Sequence, residues 1–141
     1  MIKSFKIRVK TQGYCDVKDL TREASRLIVE SQVQEGQVTF FVPGSTAGLT
    51  TVEYEPGLVK DLQAFYEKII PQDQTYHHEE TWHDGNGFSH VRASLLKPSL
   101  TVPVMEGRMT LGTWQQVILV DFDNRPRQRE IIFQVMGETT N

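Results

Sequence analysis

All four histidines of the chain, His77, His78, His83 and His90, lie between positions 77 and 90, interleaved with Glu79, Glu80, Asp84 and Asn86. No other stretch gathers as many groups able to bind a metal or move a proton. A neutral imidazole nitrogen is a good donor to Zn²⁺, and catalytic sites commonly combine three protein ligands with one open position. His78 and His90 are too far apart for a compact HExxH-type signature, so only a loop that folds back can bring their rings together. His83, Asp84 and the Glu79–Glu80 pair then compete for the place of a third ligand or of a partner that orients one. A loop of this composition also occurs as plain solvated surface, and a histidine at a helix start can simply cap it.

Two further stretches could do chemistry. In Gly44-Ser45-Thr46-Ala47-Gly48, small residues let backbone N–H groups turn toward an anion and two hydroxyls can add hydrogen bonds. The loop lacks the lysine and full glycine pattern of a P-loop, and a tight strand connection is the competing reading. Arg92, Lys97 and Arg108 are the cations available to the same anion, although such residues more often form solvated faces. In Gly112-Thr113-Trp114-Gln115-Gln116, an aromatic ring beside an amide suits a flat polar ligand, or else a core tryptophan at a strand start.

The elements that must position these groups read as follows. Phe5, Ile7 and Val9 alternate with polar residues, which predicts a strand over residues 3–11. Asp16 or Asp19 offers an N-cap for a helix carrying Leu20, Ala24, Leu27, Ile28 and Ser31, with Gly36 as its stop. Residues 37–42 and 49–54 are β-rich runs, either a hairpin or two strands separated by a crossing. Pro56 suits the first turn of a second helix whose apolar stripe is Leu58, Leu62, Phe65 and Ile69, ended by Pro71. Residues 71–85 have no apolar period and read as a polar loop, of a length usually reserved for function. Asn86 could cap a third helix through about Leu96, after which the chain is β in character, with strands near 100–104, 109–111, 116–122 and 129–136. The mixture predicts one α+β domain over residues 1–141, with more strand than helix toward the C-terminal end.

The totals narrow the function classes. A formal net charge of −3 argues against a general nucleic-acid binder, despite Arg125, Arg127 and Arg129 standing close together. The single cysteine, Cys15, suits a reducing compartment. The start MIKSFKIRVK alternates apolar and basic residues instead of forming a leader, and no run is long enough to cross a bilayer. A cytoplasmic protein with no membrane or nucleic-acid partner is expected.

Taken in order, Ser45-Thr46-Ala47-Gly48-Leu49-Thr50, Glu53 with Pro56, His78, Asp84-Gly85-Asn86, the run Ser89-His90-Val91-Arg92-Ala93-Ser94-Leu95-Leu96 and the block from Pro98 through Gly107-Arg108 to Leu111-Gly112-Thr113-Trp114-Gln115 resemble the YjbQ-like family of secondary thiamine-phosphate synthases. Asp121-Phe122-Asp123 and the arginine-rich turn after it fit the same pattern, so the resemblance covers essentially the whole chain. It implies a compact α+β domain, mainly antiparallel sheet with about three helices, that assembles as a homotrimer. It further implies a transferase that joins a pyrimidine diphosphate to a thiazole phosphate with release of pyrophosphate. Such a reaction needs an anion cradle and a divalent metal, Zn or Mg, with no organic cofactor. On this reading His90, Arg92 and Glu53 are catalytic, while His78, His90 and His83 hold the metal. Ser45, Thr46, Asn86, Arg108, Thr113, Trp114 and Gln115 would bind a small phosphorylated heterocycle. Two positions depart from the family pattern: Gly44 stands where many members have histidine, and Phe88 where a variant has one. These losses motivate an alternative, a non-enzymatic trimeric binding protein for a small phosphorylated ligand or a metal.

Overall fold

The computed structural model describes residues 1–140. The first strand, β1 (Ile2–Thr11), follows the predicted alternation and turns Ile7 and Thr11 inward. The next element corrects the expected helix cap: Asp16–Asp19 is a short strand, β2, and α1 runs from Thr21 to Ser31. Asp19 still serves the helix, its Oδ1 accepting from the Thr21 N–H at 2.9 Å. Ala24, Leu27, Ile28 and Ser31 are its buried face, as their spacing predicts. The helix stops before Gly36, because Gln32 takes the left-handed conformation (φ 63°) and β3 (Val33–Phe41) begins at once.

The remaining elements are β4 (Ala47–Val52), α2 (Pro56–Ile69), α3 (His78–Trp82), α4 (Gly87–Leu96), β5 (Ser99–Met105), β6 (Arg108–Met109), β7 (Gln116–Asp121) and β8 (Arg127–Thr139). Among the described residues there are thus four helices, the unexpected one being α3 inside the presumed polar loop. All pairings are antiparallel and fall into two sheets, ordered β1-β8-β3-β5-β6 and β2-β7-β4. The runs around β3 and β4 are therefore two strands in different sheets, not a hairpin. No helix among the described residues is long and apolar enough to cross a membrane.

The layers follow from β7. Val117 and Leu119 join the core shared with the five-stranded sheet and α1, through Ile28, Val38, Phe40, Val104, Ile131 and Phe133. Ile118, Val120 and Phe122 turn the other way into a second core with Tyr66 of α2 and Ala93 of α4. A strand buried on both faces reads as a continuous apolar run, which is why residues 117–120 carry no polar alternation. The stripe of α2 differs from the predicted one. Phe65 and Ile69 are exposed, while Tyr66 is buried with its ring edge-on to Phe122, centroids 4.9 Å apart. The inward line is Val59, Leu62 and Tyr66, which keeps Leu62 and replaces Leu58 and Phe65 by the residues that follow them.

Gly36 has a job that its helix-stop reading missed. It pairs with Gly137 across β3 and β8, beside a register irregularity between Val33 and Glu35. A Cβ on Gly36 would collide with the Met136 carbonyl and the Gly137 Cα, both of them backbone. Gly36→Ala is expected to destabilise by about 3 kcal/mol, the upper part of the range for forced overpacking. Urea unfolding would report this as a lower midpoint with the slope unchanged; an unaltered midpoint would remove the close approach as the reason for glycine.

Candidate functional site

The strand that organises the fold ends in two carboxylates. Asp121 and Asp123 are both fully buried, a state that carboxylates tolerate only when paired and hydrogen-bonded. Asp121 accepts from Arg129 through Nε (2.8 Å) and Nη2 (2.9 Å), a two-point pair, and from the Thr11 hydroxyl at the end of β1. Asp123 accepts from Arg127 Nε (2.6 Å), Thr46 Oγ1 (3.2 Å) and Asn86 Nδ2 (3.3 Å). Thr46 Oγ1 in turn accepts from Arg129 Nη2 at 2.8 Å. Burial pushes the Asp123 carboxyl up, but the Asn124 N–H, Arg127 and Asn86 together outweigh it and leave the group below its ordinary value, hence ionised.

On this floor stands the histidine cluster. Ser89 of α4 donates to the Phe122 carbonyl and fixes the first turn of the helix over the end of β7, with His90 next to it. Glu79 of α3 accepts from the Gly87 N–H (2.7 Å), and Asn124 Nδ2 donates to the Asp84 carbonyl (2.8 Å), so the loop between is held at both ends. The loop folds back: the His78 and His90 rings lie 4.2 Å apart between centroids, tilted by 34°. His78 Nδ1 is 3.7 Å from a Glu79 oxygen and 3.6 Å from an Asp84 oxygen, buried, and without a hydrogen-bond partner. Donor atoms of His78, Glu79 and Asp84 all fall within 4.8 Å of one another. A second buried acceptor, Asn86 Oδ1, is likewise unpartnered. Burial and the neighbouring His78 hold His90 below the ordinary histidine value, favouring the neutral ring.

The structure brings His78, His90, Thr46 and Asn86 to one place, with Ser45 exposed beside Thr46. It separates the rest. His83 is exposed in the left-handed position that closes α3 and lies outside the converging group, where Glu79 and Asp84 stand instead. His77 is exposed and paired with Glu80. Arg92 is 1% exposed; it donates to the Ile70 carbonyl and to Glu67 and lies over the Phe88 ring at 5.0 Å. It is a clasp between α4 and the end of α2, away from the histidines. Phe88 itself is buried and stacked with Tyr14. Glu53 follows Val52, which pairs with Gln116, whereas Thr46 precedes Ala47, which pairs with Asp121. Those ends are five residue steps apart, about 17 Å along an extended strand. Thr113, exposed Trp114 and Gln115 lead into Gln116 and so share the Glu53 end; Gln115 is spent on Thr51 Oγ1 and the Gly112 N–H. Arg108 is exposed on the two-residue edge strand β6.

Sequence reasoning did not single out Asp121, Asp123, Arg127 and Arg129 as a site. A signal existed: two acids two residues apart close an apolar strand, and two arginines two residues apart open the next. Equal period-two spacing lets both pairs face each other between the sheets.

The sign of the pH dependence follows. His90 titrates below 6.5 and Asp123 below 3.8 in the folded chain, so in both cases the unfolded chain takes up the proton first as pH falls. Their contribution is complete above pH 6.5, begins to fall below it through His90, and falls again below 3.8 through Asp123. Asp123→Asn is expected to cost about 1–3 kcal/mol at neutral pH through the lost charged hydrogen bonds, Arg127 being partly exposed, and to flatten the acid limb. Urea unfolding from pH 7 to 3 measures both; an acid limb of unchanged steepness in the variant rejects the assignment.

Comparison with known proteins places this arrangement. The family model for UPF0047 YjbQ-like proteins matches residues 5–138. A UPF0047 protein of Archaeoglobus fulgidus is 33% identical over 130 residues, covering 92% of this chain and 98% of the relative. The UPF0047 protein YugU of Bacillus subtilis is 32% identical over 133 residues, covering 93% and 97%. Among solved structures, a protein of unknown function from Sulfolobus solfataricus superposes with a TM-score of 0.88 at 26% identity, covering 98% of this chain and 100% of that one. A hypothetical protein from Aeropyrum pernix gives 0.90 at 27%, covering 96% and 99%. With a family match and relatives that both run nearly end to end, the chain belongs to the YjbQ-like UPF0047 family.

Proposed function

We propose that the protein is a divalent-metal-dependent enzyme acting on a small phosphorylated heterocycle, a thiamine-phosphate-synthase-like transferase. The observation that carries this reading is His78 Nδ1: a buried, unpartnered ring nitrogen between the Glu79 and Asp84 carboxylates, with His90 alongside. The donor set fits a metal. One or two imidazoles with carboxylates suit Zn²⁺ better than Mg²⁺, which prefers oxygen alone. His78, Glu79 and Asp84 would hold it, the two carboxylates standing where His83 was expected, with His90 beside them. Such an ion would supply charge neutralisation for a departing pyrophosphate. The chain's own residues do the rest: Asn86 offers a buried acceptor that orients a ligand N–H or O–H, and the exposed Ser45 a hydroxyl at the mouth. His90, kept neutral, can take or give a proton beside them.

A second reading, a binding protein that sequesters the phosphorylated ligand or metal, draws support from the distance between the histidine end and Glu53, Thr113, Trp114 and Gln115. A homotrimer is proposed with either reading. Exposed apolar side chains on α2 (Phe65, Ile69) and α4 (Val91, Leu95) support self-association. Sedimentation that finds a folded monomer at all concentrations would reject it.

Protein purified without a histidine tag should carry stoichiometric metal that is lost in His78→Ala. It should form thiamine phosphate from the two phosphorylated precursors, with His90→Ala slower by about tenfold or more, as for loss of a proton-transfer or ligating group. Metal uptake with turnover no faster than the protein-free background would remove the enzyme and leave the binding protein.

A further inference from the structure

The loop that enters β4 contains an opening that the rest of the site does not use. Gly44 has φ +131°, a backbone conformation that side chains rarely adopt. Where its Cβ would sit, Arg129 Nη1 at 3.0 Å is the only heavy atom within 4 Å among the described residues, chain neighbours aside. With no side chain on Gly44, Nη1 is left uncovered on that side, whereas a Cβ there would stand 3.0 Å from it.

That guanidinium is built in. The Arg129 side chain is 10% exposed, and Nε and Nη2 are taken by Asp121 and Thr46. Nη1 has no hydrogen-bond partner among the described residues and faces the notch. It can only donate, so whatever fills the notch must accept. Arg127 and Arg129 stand against the two buried carboxylates, Asp123 and Asp121, so the Arg129 guanidinium is fixed in place by its own ion pair. The rigid guanidinium fork matches the oxygens of phosphate and carboxylate. The notch also adjoins the histidine cluster: Thr46 Oγ1 links Arg129 to Asp123, and Asp123 holds Asn86 at the start of α4.

We propose that the Gly44 notch is an oxyanion subsite, in which a phosphate or carboxylate oxygen accepts from Arg129 Nη1 with Ser45 as a second donor. It rests on the phosphorylated-ligand reading above and names the cation that reads the anion. Arg92 and Arg108, which with Lys97 were the cations that the sequence offered for that role, lie elsewhere.

The test titrates the protein with inorganic phosphate and, separately, with acetate. Binding is followed by calorimetry and by the Arg129 side-chain N–H resonances. Saturable phosphate binding that shifts those resonances is expected; acetate shifting them instead would assign a carboxylate as the source of the oxyanion. Gly44→Ala, which puts a methyl in the notch, should weaken binding about tenfold or more, and Ser45→Ala severalfold, the scale of one hydrogen bond. Metal uptake should be unchanged in both. Should Gly44→Ala fold poorly because of its backbone, Ser45→Ala and the Arg129 resonances still decide. Unchanged affinity in both variants, or Arg129 resonances unmoved at saturating anion, overturns the subsite. Anion binding at the notch in a protein that takes up no metal would sink the metal-dependent reading alone; metal uptake without anion binding would sink the subsite alone.

Discussion

Two carboxylates with no access to water, Asp121 and Asp123, set the terms for this end of the molecule. Taking an ion out of water costs several kcal/mol even after relaxation, and only close, well-aligned partners offset it. The chain meets that demand from four elements around β7: Thr11 from β1, Thr46 from the approach to β4, Asn86 from the start of α4, and Arg127 and Arg129 from β8. Apart from Arg129, two residues into β8, each partner is the first or last residue of its element or next to it. The charge requirement therefore fixes where five elements meet, and the candidate site is the surface of that meeting point.

Position along β7 explains why a polar network lies so close to two apolar cores. From Val117 to Val120 the strand is buried on both faces, one against the five-stranded sheet and the other against α2 and α4. Phe122 carries the second core one residue further while its neighbours Asp121 and Asp123 turn the other way. The period of two lets one short segment continue a core and begin a polar site. Ser89, donating to the Phe122 carbonyl, then seats α4 on that segment, and His90 comes with it. Arg92, two residues later on the same helix, is bound to the Ile70 carbonyl and Glu67. It acts on the site only by holding α4 in place.

Much of the fold was legible because it is set by local periods. The alternation of β1, the Pro56 start of α2 and the buried face of α1 depend on neighbours within one or two turns. What escaped depends on distant partners. Gly36 read as a helix stop because glycine is common there, yet its reason is Gly137 across a strand pair. The α2 stripe kept Leu62 but erred at Phe65, because Tyr66, with an apolar ring and a polar tip, is the residue that meets Phe122. At the site, residue type named His78 and His90, and it took the folded-back loop, which spacing does not encode, to bring their rings 4.2 Å apart. The choice of Glu79 and Asp84 over His83 was not legible either, since it turns on the left-handed backbone at His83. Asp121, Asp123, Arg127 and Arg129 were visible as residues but not as a network, because they meet between two sheets whose order no local pattern encodes.

The same geometry limits what one chain can do alone. Asp123 ties the two parts of this end together: it holds Asn86 at the start of α4, and Thr46 Oγ1 links it to Arg129. Glu53, Trp114 and Gln115 lie at the far end of β4 and β7, about 17 Å away by strand rise. A bicyclic or smaller ligand held at the histidines cannot also stack on the Trp114 of its own chain. Any role for Trp114 in the same reaction therefore requires a neighbouring copy to present its far end to this one. Trp114 is the most accessible of the large apolar side chains together with Val29, each 73% exposed, which is the state such a role would need before assembly. The histidine cluster and Arg129 thus meet within one chain, whereas recognition of a flat ring by Trp114 at the histidine end would need the assembly.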